Sequence, residues 1–172
     1  MAIKKANTLD LPPWVFIPAR DSVLPYKPKP ITSIEDMPVN AYGFIYEITF
    51  IDNMKYIGKK NLYSIRTLPA LKSGKVREGA EKIHRNTGKG FRKAFDVVKI
   101  ESNWKVYCGS HAECKIRIPK QREILHYAFN KLELTYLEAK YLFINEVLER
   151  DDYINDNILG SFYRSSFYDI SN

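Results

Sequence analysis

Apolar and polar residues alternate along 42–58 in a way that is typical of two paired strands. The run 42–50, YGFIYEITF, is rich in β-branched and aromatic side chains, and so is the run 54–58. Asp52 and Asn53 lie between the runs, where their side chains favour a turn. The pattern therefore predicts a β-hairpin in this part of the chain.

An apolar stripe with helical spacing lies towards the C-terminal end. Its members recur at intervals of four, three and four residues: Leu137, Tyr141, Ile144 and Leu148. Thr135 followed by Glu138 has the spacing of a capping box. Together these features predict a helix over 135–149.

The rest of the chain divides into an arm, a basic segment and one ambiguous run. Its 172 residues suffice for one compact domain but are few for two. Residues 1–40 hold seven of the nine prolines, which predicts an extended arm that precedes a domain at 41–172 and either wraps it or remains mobile. Residues 60–100 mix four glycines with many cations, which predicts short helices and a flexible basic loop. The run 121–129, QREILHYAF, fits a strand or a helix.

Positive charge is concentrated in the middle of the chain. The net charge is +7, and residues 55–105 contain fourteen basic side chains against four acidic ones, a surplus of ten. Such a surplus favours a polyanionic partner whose phosphates the cations contact, and a solvated, loop-rich surface is the alternative.

Composition excludes several classes of protein. No run approaches the roughly 18 apolar residues that a membrane span requires, so no membrane association is expected. The first residues lack the apolar stretch of a secretion signal, which favours a cytoplasmic location. Cys108 and Cys114 are the only cysteines, and with His84, His111 and His126 they form no recognisable metal-ligand spacing. A reducing compartment is the simple interpretation.

Two short motifs on the predicted hairpin each pair a glycine with a tyrosine. GFIY at 43–46 and YIG at 56–58 resemble the paired signature of the GIY-YIG nuclease superfamily. Tyr46 and Tyr56 lie ten positions apart, as in that family, and the one departure is the inserted Phe44.

Further residues follow in the order that the superfamily has. Arg66 lies ten positions after Tyr56, Glu138 lies early in the predicted helix, and Asn155 follows that helix. Longer pieces, from YIGKKNLYS through ESNWKVYCGS to NILGSFYR, look like a phage-encoded, homing-endonuclease-like subgroup over about residues 40–165. Within them, VYCGS at 106–110 is a faint echo of KYIGK at 55–59.

The resemblance implies a fold and a metal-dependent chemistry. The fold would be α/β, with a small three-stranded antiparallel sheet flanked by helices and 121–129 as the third strand. One Mg²⁺ (or Mn²⁺) would be held by Glu138, with water filling most of its coordination shell. Tyr46 would be the general base and Tyr56 would orient the water or the phosphate. Arg66 would stabilise the charge that develops on phosphorus.

The same resemblance assigns supporting roles, each beside a simpler alternative. An unperturbed tyrosine is a weak base, so Lys59, Lys60 or Arg66 would need to lower the pKa of Tyr46. Lys59 and Lys60 would also bind the substrate. Gly58 would let the backbone approach the phosphate, unless it marks a bulge. The tyrosines could instead be strand packing, Arg66 a surface cation and Glu138 only a helix cap.

Two assignments among the asparagines and histidines stay open. Asn155 would support the site, although Asn155 and Asn157 are also ordinary turn residues. His84 would assist at the substrate from the basic segment, but His111 and His126 are equally available in sequence.

These features favour a metal-dependent endonuclease that hydrolyses DNA phosphodiester bonds. The alternative is a non-catalytic nucleic-acid-binding protein that retains the fold, and a third interpretation is an interaction protein that uses its arm and aromatic tail. Neither end has room for a separate DNA-reading domain, so sequence preference stays open. The oligomeric state is open as well.

Overall fold

The computed structural model describes residues 11–17, 29–86 and 92–168. The strands, in chain order, are β1 (Trp14–Phe16), β2 (Pro30–Ile31), β3 (Gly43–Phe50), β4 (Lys55–Asn61), β5 (Tyr63–Pro69), β6 (Ala80–Asn86), β7 (Arg92–Glu101), β8 (Pro119–Ala128), β9 (Asn157–Ile158) and β10 (Phe162–Tyr163). The α-helices are α1 (Lys131–Ile144) and α2 (Ser165–Tyr168), and short 3₁₀ turns lie at Ile34–Asp36, Trp104–Val106 and Glu113–Lys115.

The chain forms two units. Leu62–Ser102 is one of them, and the described residues up to Asn61 and from Asn103 onwards form the other. We call Leu62–Ser102 the second unit and the remainder the first unit. The second unit is thus an excursion from the end of β4, after which the chain returns to the first unit.

The first unit is built on a mixed sheet with the strand order β2-β1-β8-β3-β4. Strands β8, β3 and β4 pair antiparallel, whereas β1 pairs parallel with β8 and antiparallel with β2. The predicted α/β class and the strand at 121–129 are confirmed, but the predicted three-stranded sheet is too small. It is enlarged by short strands that the proline-rich segment contributes, because a strand of two or three residues fits between prolines at a sheet edge.

The arm therefore contributes to the first unit, at least in its described part. Trp14 is 1% exposed and its indole Nε1 donates to the Trp104 carbonyl at 2.9 Å. Residues 1–10 and 18–28 of the predicted arm lie outside the described residues.

The predicted hairpin is confirmed. β3 and β4 pair from Gly43 opposite Asn61 to Thr49 opposite Lys55. In the turn between them, the Asp52 carboxylate accepts from the Met54 amide at 3.3 Å, as the turn chemistry of this residue leads one to expect. Because opposite residues share a face, Tyr46 and Tyr56 both project to the same side of the sheet.

The predicted helix exists but begins and ends earlier than 135–149. Asn130 is the N-cap: its side chain accepts from the Glu133 amide at 2.9 Å, and the Glu133 carboxylate accepts from the Phe129 amide at 2.7 Å. Thr135 and Glu138 lie within the helix, so their capping-box assignment is wrong. The chain leaves the helix at Glu146, whose φ of 50° is left-handed.

Each face of the sheet is covered by a different apolar layer. On one face, α1 and the segment after it pack on the strands through a buried cluster: Ile45, Ile57, Ala128, Leu134, Leu137, Leu142, Val147, Leu148, Tyr153 and Ile158. On the other face the rings of Trp14, Phe44 and Tyr46 contact one another edge to face, with centroids 5.3 to 6.2 Å apart. Ile144, which belongs to the predicted apolar stripe, is 65% exposed.

The second unit is an antiparallel sheet with the strand order β5-β7-β6. The prediction of short helices and a flexible basic loop is therefore wrong for its described residues. Cations interrupt the alternation of apolar and polar residues along these strands, so the two-residue period that predicts a strand is not recognisable in the sequence. Gly74 and Gly79 lie in the connection between β5 and β6 with φ of 73° and 68°, whereas Gly88 and Gly90 lie outside the described residues.

No helix within the described ranges is long and apolar enough to cross a bilayer.

Candidate active site

A cavity of about 470 Å³ lies in the first unit beside the edge strand β4. Its lining combines polar side chains from β4, α1 and two loops: Tyr56, Ser110, His111, Glu138, Asn155, Asp156 and Asn157, with Ile57, Ala112, Leu142 and Leu159. An edge strand has one open side, so groups from both faces of the sheet can meet around it. Here Tyr56 comes from the aromatic face and Glu138 from the helix face.

Tyr56 presents its hydroxyl group at this cavity. The oxygen lies 2.9 Å from Ser110 Oγ, and the ring contacts the His111 imidazole with centroids 6.4 Å apart. Burial raises the pKa of Tyr56 to about 12, although the hydrogen bond to Ser110 acts in the opposite direction. Tyr56 is therefore a neutral phenol near pH 7, able to donate or accept one hydrogen bond.

Tyr46 lies beside Tyr56 but away from the cavity. The two ring centroids are 6.1 Å apart, and Tyr46 has no exposed surface. Burial raises its pKa well above the ordinary value. The expectation that nearby cations lower the pKa of Tyr46 is therefore wrong, because desolvation of the phenolate dominates.

Gly58 makes room for Tyr46. A Cβ atom at this position would lie 2.6 Å from the Tyr46 hydroxyl oxygen and 2.9 Å from Cε1 of Tyr56. Gly58 lies directly opposite Tyr46 in the hairpin register, without a bulge between β3 and β4. The glycine thus sets how closely the two tyrosine rings approach the strand.

Glu138 reaches the cavity from the middle of α1. Its Oε2 lies 2.8 Å from Lys59 Nζ, and this ammonium group also donates to Thr135 Oγ1 at 3.2 Å. Lys59 projects to the helix face because it lies opposite Ile45 in the register. The lysine therefore holds one carboxylate oxygen of Glu138 in place.

Lys60 projects to the other face of the same strand. Its Nζ lies 2.7 Å from Asn103 Oδ1 and 3.9 Å from the centroid of the Tyr107 ring. Partial burial lowers the pKa of Lys60. The two consecutive lysines thus have separate surroundings, and Lys59 is the one that contacts Glu138.

The residues present fit a hydrated divalent cation. Within the described ranges, no three His, Cys, Asp or Glu side chains are grouped closely enough to hold a metal ion. Magnesium binds through one or two carboxylates and keeps several waters. Glu138 and Asp156 are the carboxylates that line the cavity, which has room for those waters.

Asn155 holds β4 in place. Its Oδ1 accepts from the Ile57 amide at 3.1 Å, and its Nδ2 donates to the Ile57 carbonyl at 2.8 Å. This side chain continues the pairing in which the Lys55 amide donates to the Asp152 carbonyl and the Ile154 amide donates to the Lys55 carbonyl. Asn155 is 5% exposed, and both ends of its amide are engaged with the residue between Tyr56 and Gly58.

His111 is the histidine at the cavity. Its Nε2 lies 3.4 Å from Asp156 Oδ2, its Nδ1 accepts from the Glu113 amide at 3.3 Å, and it follows Ser110 directly. The sequence indicated His84 instead, which is an exposed residue of β6 in the second unit. The faint echo of KYIGK in VYCGS was the signal for this loop, since the histidine comes immediately after that motif.

Arg66 also belongs to the second unit. It is exposed on β5, opposite Val98 of β7. The structure thus brings Tyr56, Glu138 and Asn155 together in the first unit, with Tyr46, Gly58 and Lys59 adjacent to them. The roles of Arg66 and His84 stay predictions.

These residues have the arrangement that the GIY-YIG signature implies. GFIY and YIG lie on the two strands of one hairpin, Glu138 comes from a helix beside it, and Asn155 is hydrogen-bonded to the second strand. The family described as "Putative endonuclease segE, GIY-YIG domain" matches residues 26–158. This match covers most of the chain, and the protein belongs to that family. No curated protein and no solved structure matches the chain.

Proposed function

We propose that this protein is a metal-dependent endonuclease that hydrolyses DNA phosphodiester bonds. One observation carries the proposal: Tyr56, His111 and Glu138 converge on a single cavity at β4, in a chain of an endonuclease family. Hydrolysis requires a positioned water, a proton acceptor and positive charge beside the phosphate. The cavity and its surroundings supply side chains for each of these tasks.

Glu138 would hold Mg²⁺ (or Mn²⁺), which when bound offsets charge on the phosphate and acidifies a water. Lys59 already fixes one oxygen of this carboxylate at 2.8 Å. The other oxygen then keeps a defined direction toward the cavity. Lys59 is in this proposal a positioning residue for Glu138.

His111 is the proton acceptor in this proposal. The accepting atom would be Nδ1, which accepts from the Glu113 amide at 3.3 Å and would exchange that long hydrogen bond for the proton. Imidazole is the side chain whose ordinary titration lies near neutrality. The Asp156 carboxylate, whose Oδ2 lies 3.4 Å from Nε2, orients the ring. Tyr56, which keeps its proton, orients the attacking water or a phosphate oxygen by a hydrogen bond.

Tyr46 acts indirectly in this mechanism. Its buried ring packs against Tyr56, which fixes the direction of the Tyr56 hydroxyl. Arg66 is assigned from the family pattern to the developing charge on phosphorus, because its planar guanidinium pairs well with phosphate oxygens.

The test is a nicking assay on supercoiled plasmid DNA with Mg²⁺. The Glu138→Gln variant removes the carboxylate charge at nearly constant volume, and we expect it to reduce nicking at least a hundredfold, by the scale of single catalytic groups. The matched control is Glu146→Gln, an exposed position just after the same helix, which should nick like the parent. If the parent retards DNA in a gel but never cuts it, the protein is a non-catalytic DNA-binding member of the family.

A further inference from the structure

The net positive charge of the protein lies almost entirely in the second unit. Leu62–Ser102 contains ten basic and four acidic side chains, so it carries six of the seven net positive charges of the chain. The other unit, which holds the candidate active site, is close to neutral. A ligand attracted by charge is therefore attracted first to the second unit.

One face of the sheet in this unit is covered by its own connection. Asp96 and Lys82 lie opposite each other in the register and share a face. Asp96 is fully buried and binds Arg77 at 2.7 Å, while Lys82 donates to the Gly74 carbonyl at 2.9 Å. Arg77 and Gly74 both come from the segment between β5 and β6, which therefore packs over this part of the face, whereas Arg66 and His84 lie on the same face and are exposed.

On the opposite face several side chains of the described residues are exposed, and the face combines charged with apolar groups. We call it the open face; it comprises Tyr63, Ile65 and Thr67 of β5, Glu81, Ile83 and Arg85 of β6, and Lys93, Phe95, Val97, Lys99 and Glu101 of β7. Arg85, Lys93 and Lys99 are exposed, and Ile65 is 72% exposed. Arg85 lies 5.9 Å from the centroid of the Phe95 ring, so its guanidinium lies above the sheet and not beside it.

We propose that the open face docks into the major groove of duplex DNA. This inference rests on the proposed function, because it names the surface that binds the substrate of the endonuclease. Strands in a sheet lie about 4.8 Å apart, so the outer backbones of three strands are about 10 Å apart, close to the groove width of about 12 Å.

The chemistry of the open face suits the groove. Lys93 and Arg85 lie opposite each other in the register, and Lys99 lies on the other side of Phe95 along β7, so cations flank an apolar centre. Glu81, opposite Val97, and Glu101, opposite Tyr63, lie on the same face, which therefore carries three cations against two carboxylates. Cations at these positions reach phosphates on both sides of the groove, and the apolar centre can contact thymine methyl groups. An A-form RNA helix does not offer this fit, since its major groove is deep and narrow.

The experiment measures DNA affinity separately from cutting. All proteins carry Glu138→Gln, and binding to a fluorescent duplex is followed in EDTA over a range of salt concentrations. The test variant is Arg85→Gln with Lys93→Gln and Lys99→Gln. The matched control changes three exposed lysines of the first unit in the same way, at positions 115, 131 and 140.

We expect the test variant to bind about a hundredfold more weakly near 0.15 M salt. The slope of log affinity against log salt should become shallower by about 2.7, at about 0.9 for each phosphate that is no longer neutralised. The control should keep both the affinity and the slope of the parent. A charge-keeping variant, Arg85→Lys with Lys93→Arg and Lys99→Arg, should also keep the affinity and the slope of the parent. This result would show that the loss of charge, and not misfolding, weakens DNA binding in the test variant.

Two outcomes overturn the proposal. One is a test variant whose affinity and slope equal those of the control, and the other is an RNA duplex that competes as well as DNA does. Neither result bears on catalysis. If the unmodified protein cuts DNA while the test variant binds normally, the proposed docking surface is wrong and the proposed nuclease activity is supported. If it never cuts but the test variant binds weakly, the nuclease is wrong and the docking surface stands.

Discussion

Gly58 lies so close to the rings of Tyr46 and Tyr56 that one added methyl group at this position should destabilise the protein. In Gly58→Ala the new Cβ would lie 2.6 Å from the Tyr46 hydroxyl oxygen, 2.9 Å from Tyr46 Cζ and 2.9 Å from Tyr56 Cε1. Ordinary contacts of this kind begin near 3.4 Å, so both rings must move by several tenths of an ångström. Tyr46 cannot yield easily, because it is fully buried against the Trp14 ring.

The cost follows from the overlap. Overpacking a buried site costs about 1–3 kcal/mol, and three short contacts to two rings place Gly58→Ala in the upper half of this range. We therefore expect a loss of about 2–3 kcal/mol in the free energy of unfolding, which is a fall of about 4–12 °C in melting temperature for a chain of this size. Nicking should fall as well, because the Tyr56 ring moves with the strand.

Guanidinium unfolding followed by tryptophan fluorescence measures this cost in the correct unit. Trp14 and Trp104 are the two tryptophans of the chain, and both are buried in the first unit. A second substitution, Tyr46→Phe, removes the oxygen at 2.6 Å and leaves the Cζ contact at 2.9 Å. We expect the double variant to be about 1 kcal/mol more stable than the sum of the single effects predicts, as is usual for residues in contact.

The reasoning is refuted by either of two results. In the first, Gly58→Ala costs less than about 0.5 kcal/mol, which is the scale of a neutral surface change. In the second, the effects of Gly58→Ala and Tyr46→Phe are additive, so that the added methyl group and the hydroxyl group do not compete for space.

Three more predictions concern the groups around the cavity. Asn155→Ala removes both hydrogen bonds to Ile57 and should lower the free energy of unfolding by about 2–4 kcal/mol, measured by the same fluorescence assay. A loss below about 1 kcal/mol would show that water replaces the amide. His111→Ala should reduce plasmid nicking at least a hundredfold with little change in DNA affinity. The control, His126→Ala, changes a histidine outside the cavity and should nick normally. Equal nicking rates in both variants would show that His111 has no part in the mechanism. The pKa of Tyr56 is raised to about 12, so the contribution of its neutral form to stability is complete below pH 10 and disappears as the pH rises to 12. Urea unfolding should therefore show a loss of about 2–3 kcal/mol in the free energy of unfolding between pH 10 and pH 12, and Tyr56→Phe should reduce this loss. An unchanged pH profile in that variant would contradict the assignment.

Local patterns predicted the hairpin and its turn well. The alternation along β3 and β4, and the turn side chains between them, involve neighbours in sequence, so no distant contact is needed to recognise them. The helix was less well predicted, because two cap patterns occur close together in the sequence. The structure selects Asn130 with Glu133, and this choice depends on where β8 ends, just before the helix begins.

The candidate site was predicted in part. The family order of motifs led to Tyr56, Glu138 and Asn155, and these three residues line one cavity. The choice among the three histidines could not come from spacing, because His111 reaches Tyr56 across 55 positions of chain that include the whole second unit. Only the return of the chain after this unit places the loop beside β4.

By itself the sequence determined the hairpin, the membership in an endonuclease family and the concentration of positive charge, since each is read from neighbouring residues or from composition. The tertiary structure alone decided that Tyr46 is buried while Tyr56 faces a cavity, although both lie on one face of one hairpin. The physical reason is that burial depends on what packs above each residue. Tyr46 is covered by Trp14 of β1, a strand thirty-two positions earlier in the chain, whereas Tyr56 lies on the edge strand, where it borders the cavity and is 9% exposed.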